Sequence, residues 1–277
     1  MRVLVGTDGS AASRAAMQWA ASFVEAEGGS LVIAAVRIPP LSEVWPETVD
    51  QRRALEMEKL DRECADLGDI GPFRRYLLEG DPGTELLRAA DSEDADLVVV
   101  GARGSGGHRH ALHLGSTAHH LVHHTRFPLA AIPESARTTW PAPIVIGVDG
   151  SDGSERAVEW LADYGAALTD DVIAVHAEKP LAQWVPVSHP HSWYQHAMEA
   201  MQDWVEPLRK VELGARTVVL DGDAVDALTD VAMAQGAGMI VVGARGAGRT
   251  GASRLGATAL KVLHQARVPV LMVPSAM

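Results

Sequence analysis

The chain has 277 residues, 36 acidic and 24 basic, and a net charge of −12 with its histidines neutral. That charge repels polyanions at long range, so nucleic acid and anionic membrane are not expected as partners, although a local basic site remains open. The single cysteine, Cys64, excludes an intramolecular disulfide framework and a cysteine-based metal cluster, and its expected role is helix packing.

Met1-Arg2 leads straight into Val3-Leu4-Val5 without a signal-peptide apolar region, and no run nears ~18 apolar residues, so a cytoplasmic protein is expected. Residues 2–6 are predicted as a strand. Residues 10–27 follow as a helix with Ala15, Ala16, Trp19 and Phe23 on one face. Residues 31–37 form a second strand, a proline-containing loop covers 38–47, and a charged helix runs over 48–67. A third strand (73–78), a helix (84–93), a fourth strand (97–100), a helix (116–125) and a fifth strand (129–132) complete the half. Strands separated by helical stretches imply right-handed crossovers and a parallel sheet covered on both faces.

The second half repeats this order. Leu4-Val5-Gly6-Thr7-Asp8-Gly9-Ser10 recurs 141 positions later as Val145-Ile146-Gly147-Val148-Asp149-Gly150-Ser151, and Trp19 and Trp160 keep that offset. The offset is 142 at Gly101/Gly243 and Gly104/Gly246, and 141 again at Gly115/Gly256 and Pro128/Pro269. A period of this length marks a duplicated domain. The aperiodic stretch 133–143 holds Pro133, Pro141 and Pro143, and places the boundary so that the domains span 1–137 and 138–277. The expected class is therefore α/β, with two tandem open parallel five-stranded sheets and helices on both faces.

Two glycine loops carry the chemistry. Val98-Val99-Val100-Gly101-Ala102-Arg103-Gly104 runs on to Gly115-Ser116-Thr117, and Ile240-Val241-Val242-Gly243-Ala244-Arg245-Gly246 runs on to Gly256-Ala257-Thr258. Each is a buried strand that breaks into glycines and then enters a helix, where free amides and the helix dipole favour phosphate. Between Gly101 and Gly115 stand Arg103, His108, Arg109, His110 and His113 without a carboxylate. Between Gly243 and Gly256 stand Arg245, Arg249 and Arg254, again without one. In an acidic chain, two purely basic stretches point to anions; the duller alternative is a solvated loop balancing nearby acids. Asp8 and Asp149 end the first strand of each half and share the carboxyl-end crevice with these loops.

The spacing Gly243-x2-Gly246-x9-Gly256, and its longer counterpart Gly101-x2-Gly104-x10-Gly115-Ser116, resembles the ATP-binding signature of the universal stress protein family. So do Thr7-Asp8-Gly9-Ser10, Val148-Asp149-Gly150-Ser151, the Gly80-Asp81-Pro82 turn, Asp96 to Gly101, and Phe127-Pro128-Leu129-Ala130. The resemblance spans nearly the whole chain twice. It implies an adenine-nucleotide α-hydrolase-like, Rossmann-like fold and an ATP site in each half, with or without Mg2+. It places Asp8 and Asp149 at the adenine-ribose end, and Val36 and Ala177 beside the adenine. Gly101, Gly104, Gly115 and Ser116 would wrap ribose and phosphates in the first half, and Gly243, Gly246 and Gly256 would do so in the second. Thr7, Val100, Arg103, Thr117, Val148, Val242, Arg245, Ala257 and Thr258 complete the expected cofactor-binding set.

Three departures bear on the sites. The first loop has an extra residue, Ala257 stands where a hydroxyl is expected, and Gly222-Asp223-Ala224 lacks the turn proline. A donor missing from a charged ligand costs about 1.5–3 kcal/mol, or ten- to a hundred-fold in affinity, which weakens a site without abolishing it. Thr258, with Thr117 as its repeat partner, is the compensating hydroxyl. Gly246-x-Gly248-x2-Gly251 fits a dinucleotide fingerprint but follows the wrong strand, and Gly243-x4-Gly248-Arg249-Thr250 misses the P-loop lysine.

Seven histidines fall between His108 and His124, and the pairs His119/His123 and His120/His124 have the i,i+4 spacing of a metal clamp. With no acidic or cysteine ligand nearby in sequence, an exposed polar face is the preferred reading, and no metal site is assigned. Trp19 and Trp160 read as core, whereas Trp45, Trp184 and Trp193 follow the second strand of each half, open to a lid or interface role.

The first function reading is a regulatory, nucleotide-binding module of the stress response, with no catalytic residue. The second is a slow ATP-hydrolysing or nucleotidyl-transferring enzyme, with Asp8 or a loop histidine assisting; the third is a nucleotide-free dimerising scaffold. The fifth strands, 129–132 and 268–273, would be sheet edges needing cover. In the family such strands pair across domains, so the halves can satisfy one another, and a further homodimer through sheet-edge strands is expected.

Overall fold

Short β-branched runs become strands covered on both faces. In the computed structural model, which describes residues 1–38, 46–68, 72–104, 114–136, 139–178, 190–247 and 255–275, the chain divides into two compact units, Met1–Arg137 and Thr138–Met277.

The first unit runs β1 (Arg2–Thr7), α1 (Ala11–Glu27), β2 (Ser30–Arg37), α2 (Pro46–Ala65), β3 (Phe73–Glu79), α3 (Pro82–Ser92), β4 (Leu97–Gly101), α4 (Ser116–His124) and β5 (Leu129–Ile132). Its strands lie in the order β3-β2-β1-β4-β5, all parallel. Val3 registers with Leu31 on one side and Leu97 on the other, so β1 is central. Val3, Leu4, Val5, Leu97, Val98 and Val99 are all 0% exposed, which is why these strands read as unbroken apolar runs rather than alternating ones. The chain passes from β1 to β2 on one side while β4 lies on the other. That is the switch point at which an open α/β sheet forms a crevice at its carboxyl ends.

Helix starts follow local chemistry. Ser10 caps α1 by accepting from the Ser13 amide at 3.1 Å, and Asp81 caps α3 by accepting from the Thr84 amide at 2.9 Å. Pro82 occupies the first turn of α3, where its missing N–H costs nothing, so the helix starts two residues before the expected 84. Trp19 stacks on Phe23 at 5.0 Å between centroids, and both are buried.

The second unit runs β6 (Ile144–Gly147), α5 (Asp152–Tyr164), β7 (Val172–Glu178), α6 (Pro190–Trp204), α7 (Glu206–Lys210), β8 (Ala215–Asp221), α8 (Ala224–Ala234), β9 (Met239–Gly243), α9 (Ala257–Gln265) and β10 (Val270–Val273). Its parallel order β8-β7-β6-β9-β10 mirrors that of the first unit. Ser151 and Asp223 cap α5 and α8, and Trp160 is buried like Trp19. One expectation changes: the repeat predicts a single helix after β7, but it breaks at Val205 into α6 and α7. Pro207, which cannot donate an intrahelical bond, sits in the first turn of the new helix.

Candidate functional site

In each unit the ends of the first and fourth strands converge on a helix start. In the second unit the Asp149 carboxylate joins them. Oδ1 accepts from the Ser151 amide at 3.1 Å and the Ser151 hydroxyl at 2.5 Å, and Oδ2 accepts from the Ala247 amide at 2.8 Å. The Ser151 hydroxyl also lies 3.3 Å from the Arg245 carbonyl. Gly243, Gly153 and Gly246 make these approaches possible: a Cβ on Gly243 would strike the Gly153 backbone, one on Gly153 the Arg245 carbonyl, and one on Gly246 the Asp149 carboxylate.

The first unit repeats the design. Asp8 Oδ1 accepts from the Ser10 amide at 3.0 Å. A Cβ on Gly104 would come within 2.8 Å of Asp8 Oδ2, and one on Gly101 within 2.8 Å of the Ala12–Ser13 backbone. The loop closes where the Gly115 amide donates to the Ala102 carbonyl at 2.8 Å, as the Gly256 amide does to Ala244 at 2.6 Å. The Ala102 and Ala244 amides in turn donate to Ile132 and Val273 at 2.8 and 2.7 Å, fixing each loop to its fifth strand.

The closure delivers each chain into a helix with a bare start. α4 and α9 begin after Gly115 and Gly256, which have no side chain to cap them, whereas α1, α3, α5 and α8 are capped by Ser10, Asp81, Ser151 and Asp223. The first amides of α4 and α9 are therefore left without a capping side chain at Gly115 and Gly256. Ser116, Ala257 and Thr258 are exposed there, Thr117 is half-buried, and Arg103 is exposed. Arg245 is half-buried, and its Nε is buried without a partner among the described residues.

The other candidate residues are buried or half-buried. The Val100 and Val242 side chains pack inward toward Gly6 and Gly147 and are 4% and 5% exposed. Val36 and Ala177 are half-buried near the ends of β2 and β7, in register with Leu78 and Leu220. Thr7 donates its hydroxyl to Glu63 Oε2 at 2.8 Å, whereas its counterpart Val148 is buried and makes no such bond. The loop residues His108, Arg109, His110, His113, Gly248, Arg249, Thr250, Gly251 and Arg254 lie outside the described residues, as do Trp45, Trp184 and the side chain of Trp193.

Sequence reasoning missed the layer behind the crevice. Ser13 Oγ donates to the Ser10 carbonyl at 3.0 Å and lies 3.4 Å from the Asp8 amide; Ser154 does the same for Ser151 and Asp149. Gly9 and Gly150 adopt φ of 73° and 74°. Over Gly9 lie Lys59 and Glu63 of α2; over Gly150 lies the Trp204 indole, which meets the His176 ring edge-on at 5.2 Å. His176 Nδ1 is held 2.8 Å from the Val148 carbonyl. Glu63 and Trp204 stand 141 positions apart, the offset of the repeat.

The Asp81 carboxylate sits below its ordinary pKa because the Thr84 amide and hydroxyl both donate to it, with His120 adding a smaller pull. A separate depression lined by Met1, Arg2, Gly29, Ser30, Asp94 and Asp96 lies at the opposite, amino ends of the strands. Among the described residues no helix is long and apolar enough to cross a membrane, and no group of three or more His, Cys, Asp or Glu side chains is gathered as a metal site.

Fold and crevice together define a duplicated, doubly wound α/β protein whose glycine loops feed bare helix starts. The universal stress protein family model matches residues 1–133 and 142–274, and the chain belongs to that family. It is 29% identical to a universal stress protein of Mycobacterium tuberculosis over 98% of this chain and 94% of that one. A second relative from the same organism is also 29% identical, over 98% and 96%. The fold matches the crystal structure of a universal stress protein from Archaeoglobus fulgidus with a TM-score of 0.73 at 18% identity, covering 98% of this chain and 97% of that one.

Proposed function

We propose that each unit binds one adenine nucleotide, ATP with or without Mg2+, in the crevice at the carboxyl ends of its first and fourth strands, and that occupancy is the protein's regulatory output. The observation that carries this reading is the pair of uncapped starts at Gly115 and Gly256, set at the end of loops whose glycines leave no room for side chains. Four other helices are capped by a side chain and the short α7 is not; at the ends of the glycine loops, bare amides suit an external anion. The buried Nε of Arg245 adds a guanidinium donor in the second unit. Asp8 and Asp149 would hold the loops and offer acceptors to ribose or adenine donors, while Val36 and Ala177 flank the base. Asp149 accepts from a turn and a loop amide and Asp8 from a turn amide, which supports a positioning duty for both. The same reading includes a cytoplasmic location and a homodimer, the latter checked by light scattering.

The test is identification and quantification of nucleotide released on denaturing the purified full-length chain, followed by calorimetric titration with ATP and Mg2+. About two ATP per chain supports paired sites. About one supports binding by a single unit, and neither release nor binding overturns the proposal. Turnover faster than ~0.1 per second would favour the enzyme reading, since typical enzymes run at about 1–1000 per second.

A further inference from the structure

His119, His120, His123 and His124 lie on α4 of the first unit. At 3.6 residues per turn they occupy one continuous arc, at roughly 0°, 100°, 40° and 140° in that order. Their rings are already paired: His119 meets His123 at 4.6 Å between centroids with a 51° tilt, and His120 stacks on His124 at 4.3 Å and 26°.

Two contacts orient the second pair. His124 Nδ1 lies 2.8 Å from the His120 carbonyl, which can only accept, so Nδ1 carries the proton and the lone pair falls on Nε2. A backbone carbonyl taking the far N–H is the arrangement that fixes tautomer and ring direction in metal-ligating histidines. The His120 ring rests on Gly83 at the start of α3, where a Cβ would strike Cδ2, Cγ and Cβ of the ring. The His120 ring is therefore held against α3, and the exposed His124 ring is the one whose soft χ2 torsion lets it turn toward a shared cation. The duplicated helix α9 has Leu260, Lys261, His264 and Gln265 at the corresponding positions, a single imidazole.

We propose that His120 and His124 chelate one divalent transition cation of the imidazole-preferring kind, Zn2+, Ni2+ or Cu2+, on the face of α4. Histidines one helical turn apart form the two-imidazole half of known zinc sites, and imidazole donors suit these metals rather than Mg2+ or Ca2+. Among the described residues no third His, Cys, Asp or Glu side chain joins the pair, so water fills the remaining positions. The site is thus open and exchangeable. It is independent of the nucleotide reading, since neither histidine belongs to the glycine loops.

The test is calorimetric titration of the untagged full-length chain with ZnCl2 or NiCl2 alone at pH 7.5. The expected result is binding that weakens at least ten-fold in the His120→Gln/His124→Gln double variant and is unchanged in His264→Gln. Circular dichroism and the thermal midpoint confirm that the variants fold, and the single variant His124→Gln is the fallback, with a smaller loss in the same direction. No binding by the parent chain overturns the assignment. So does parent-like affinity in the double variant, or a loss confined to changes at His119 and His123 or at His108, His110 and His113.

Discussion

The Asp149 carboxylate accepts the Ala247 amide at 2.8 Å across 98 residues of chain, tying the end of the first strand of its unit to the glycine loop after the fourth. Sequence spacing alone cannot show whether an aspartate at a strand end faces a ligand or organises the loop that does. Here one oxygen serves the Ser151 turn and the other the loop, so Asp149 ties the two together.

Asp149→Ala removes a charge-assisted bond worth about 1.5–3 kcal/mol, and the exposure of this one puts it at the lower end. The expected outcome is faster amide exchange at Ala247, a urea midpoint lowered for the second unit, and a roughly ten-fold loss of ATP affinity there. Asp149→Asn, which keeps an acceptor oxygen, should recover most of the exchange protection. Equal exchange in the Ala variant and the parent would show that the loop is held by other contacts.

Gly9 and Gly150 have nearly the same positive φ, 73° and 74°, but different roofs. An alanine at either takes a left-handed conformation at a cost of about 1–2 kcal/mol. Over Gly9 the new Cβ meets the ends of Lys59 and Glu63, which can swing away; over Gly150 it lies 2.6 Å from the Trp204 ring, flanked by His176. Gly150→Ala should therefore destabilise more than Gly9→Ala and shift the fluorescence of Trp204. Chemical denaturation of the two variants side by side checks the order, and equal losses would mean that the indole yields as easily as the flexible chains.

Most of the architecture was legible because its signals are local and doubled. Val98 to Gly101 and Ile240 to Gly243 announce buried strands running into glycine turns, and the 141-residue offset carried each assignment from one half to the other. What stayed hidden was long-range. That Thr7 is spoken for by Glu63 of α2, 56 residues on, and that Trp204 takes the equivalent place over Gly150, depends on how a crossover helix packs. The break at Val205 is likewise hidden, since the repeat suggests continuity and only the packed chain shows Pro207 opening a new helix.

The Asp81 cap gives a pH dependence with a defined sign. The Thr84 amide and hydroxyl hold the Asp81 pKa below its ordinary value, so the unfolded chain binds the proton more readily. The cap's stabilisation is full above the unfolded carboxylate value of about 3.9 and is lost as pH falls through the lower folded value. Asp81→Ala should cost about 1 kcal/mol at pH 7, and its difference from the parent should shrink below about pH 4. Urea denaturation of both proteins at pH 7, 5 and 3.5 checks this. A difference that persists undiminished at pH 3.5 would mean that the carboxylate is not the stabilising group.

Cys64 is 4% exposed on the inner side of α2, and burial, with smaller contributions from Asp61 and Glu63 against the opposing pull of Arg75, pushes its thiol up to about 11. The thiolate is the reactive species. The rise to about 11 cuts its population near neutrality by at least about 100-fold, before any steric shielding. The native protein should therefore react with an aromatic disulfide reagent at least about 100-fold more slowly than the urea-unfolded chain, with full release of one thiol on unfolding. The linkage sign follows: the group favours the folded state below the unfolded value of about 8.5, and that advantage is lost as pH rises toward 11. Stability should decline over this alkaline window in the parent and decline less in Cys64→Ala, whose lower starting stability reflects the cavity instead. Rapid native labelling at pH 7.5 would show that α2 opens locally and that Cys64 is not locked into the core.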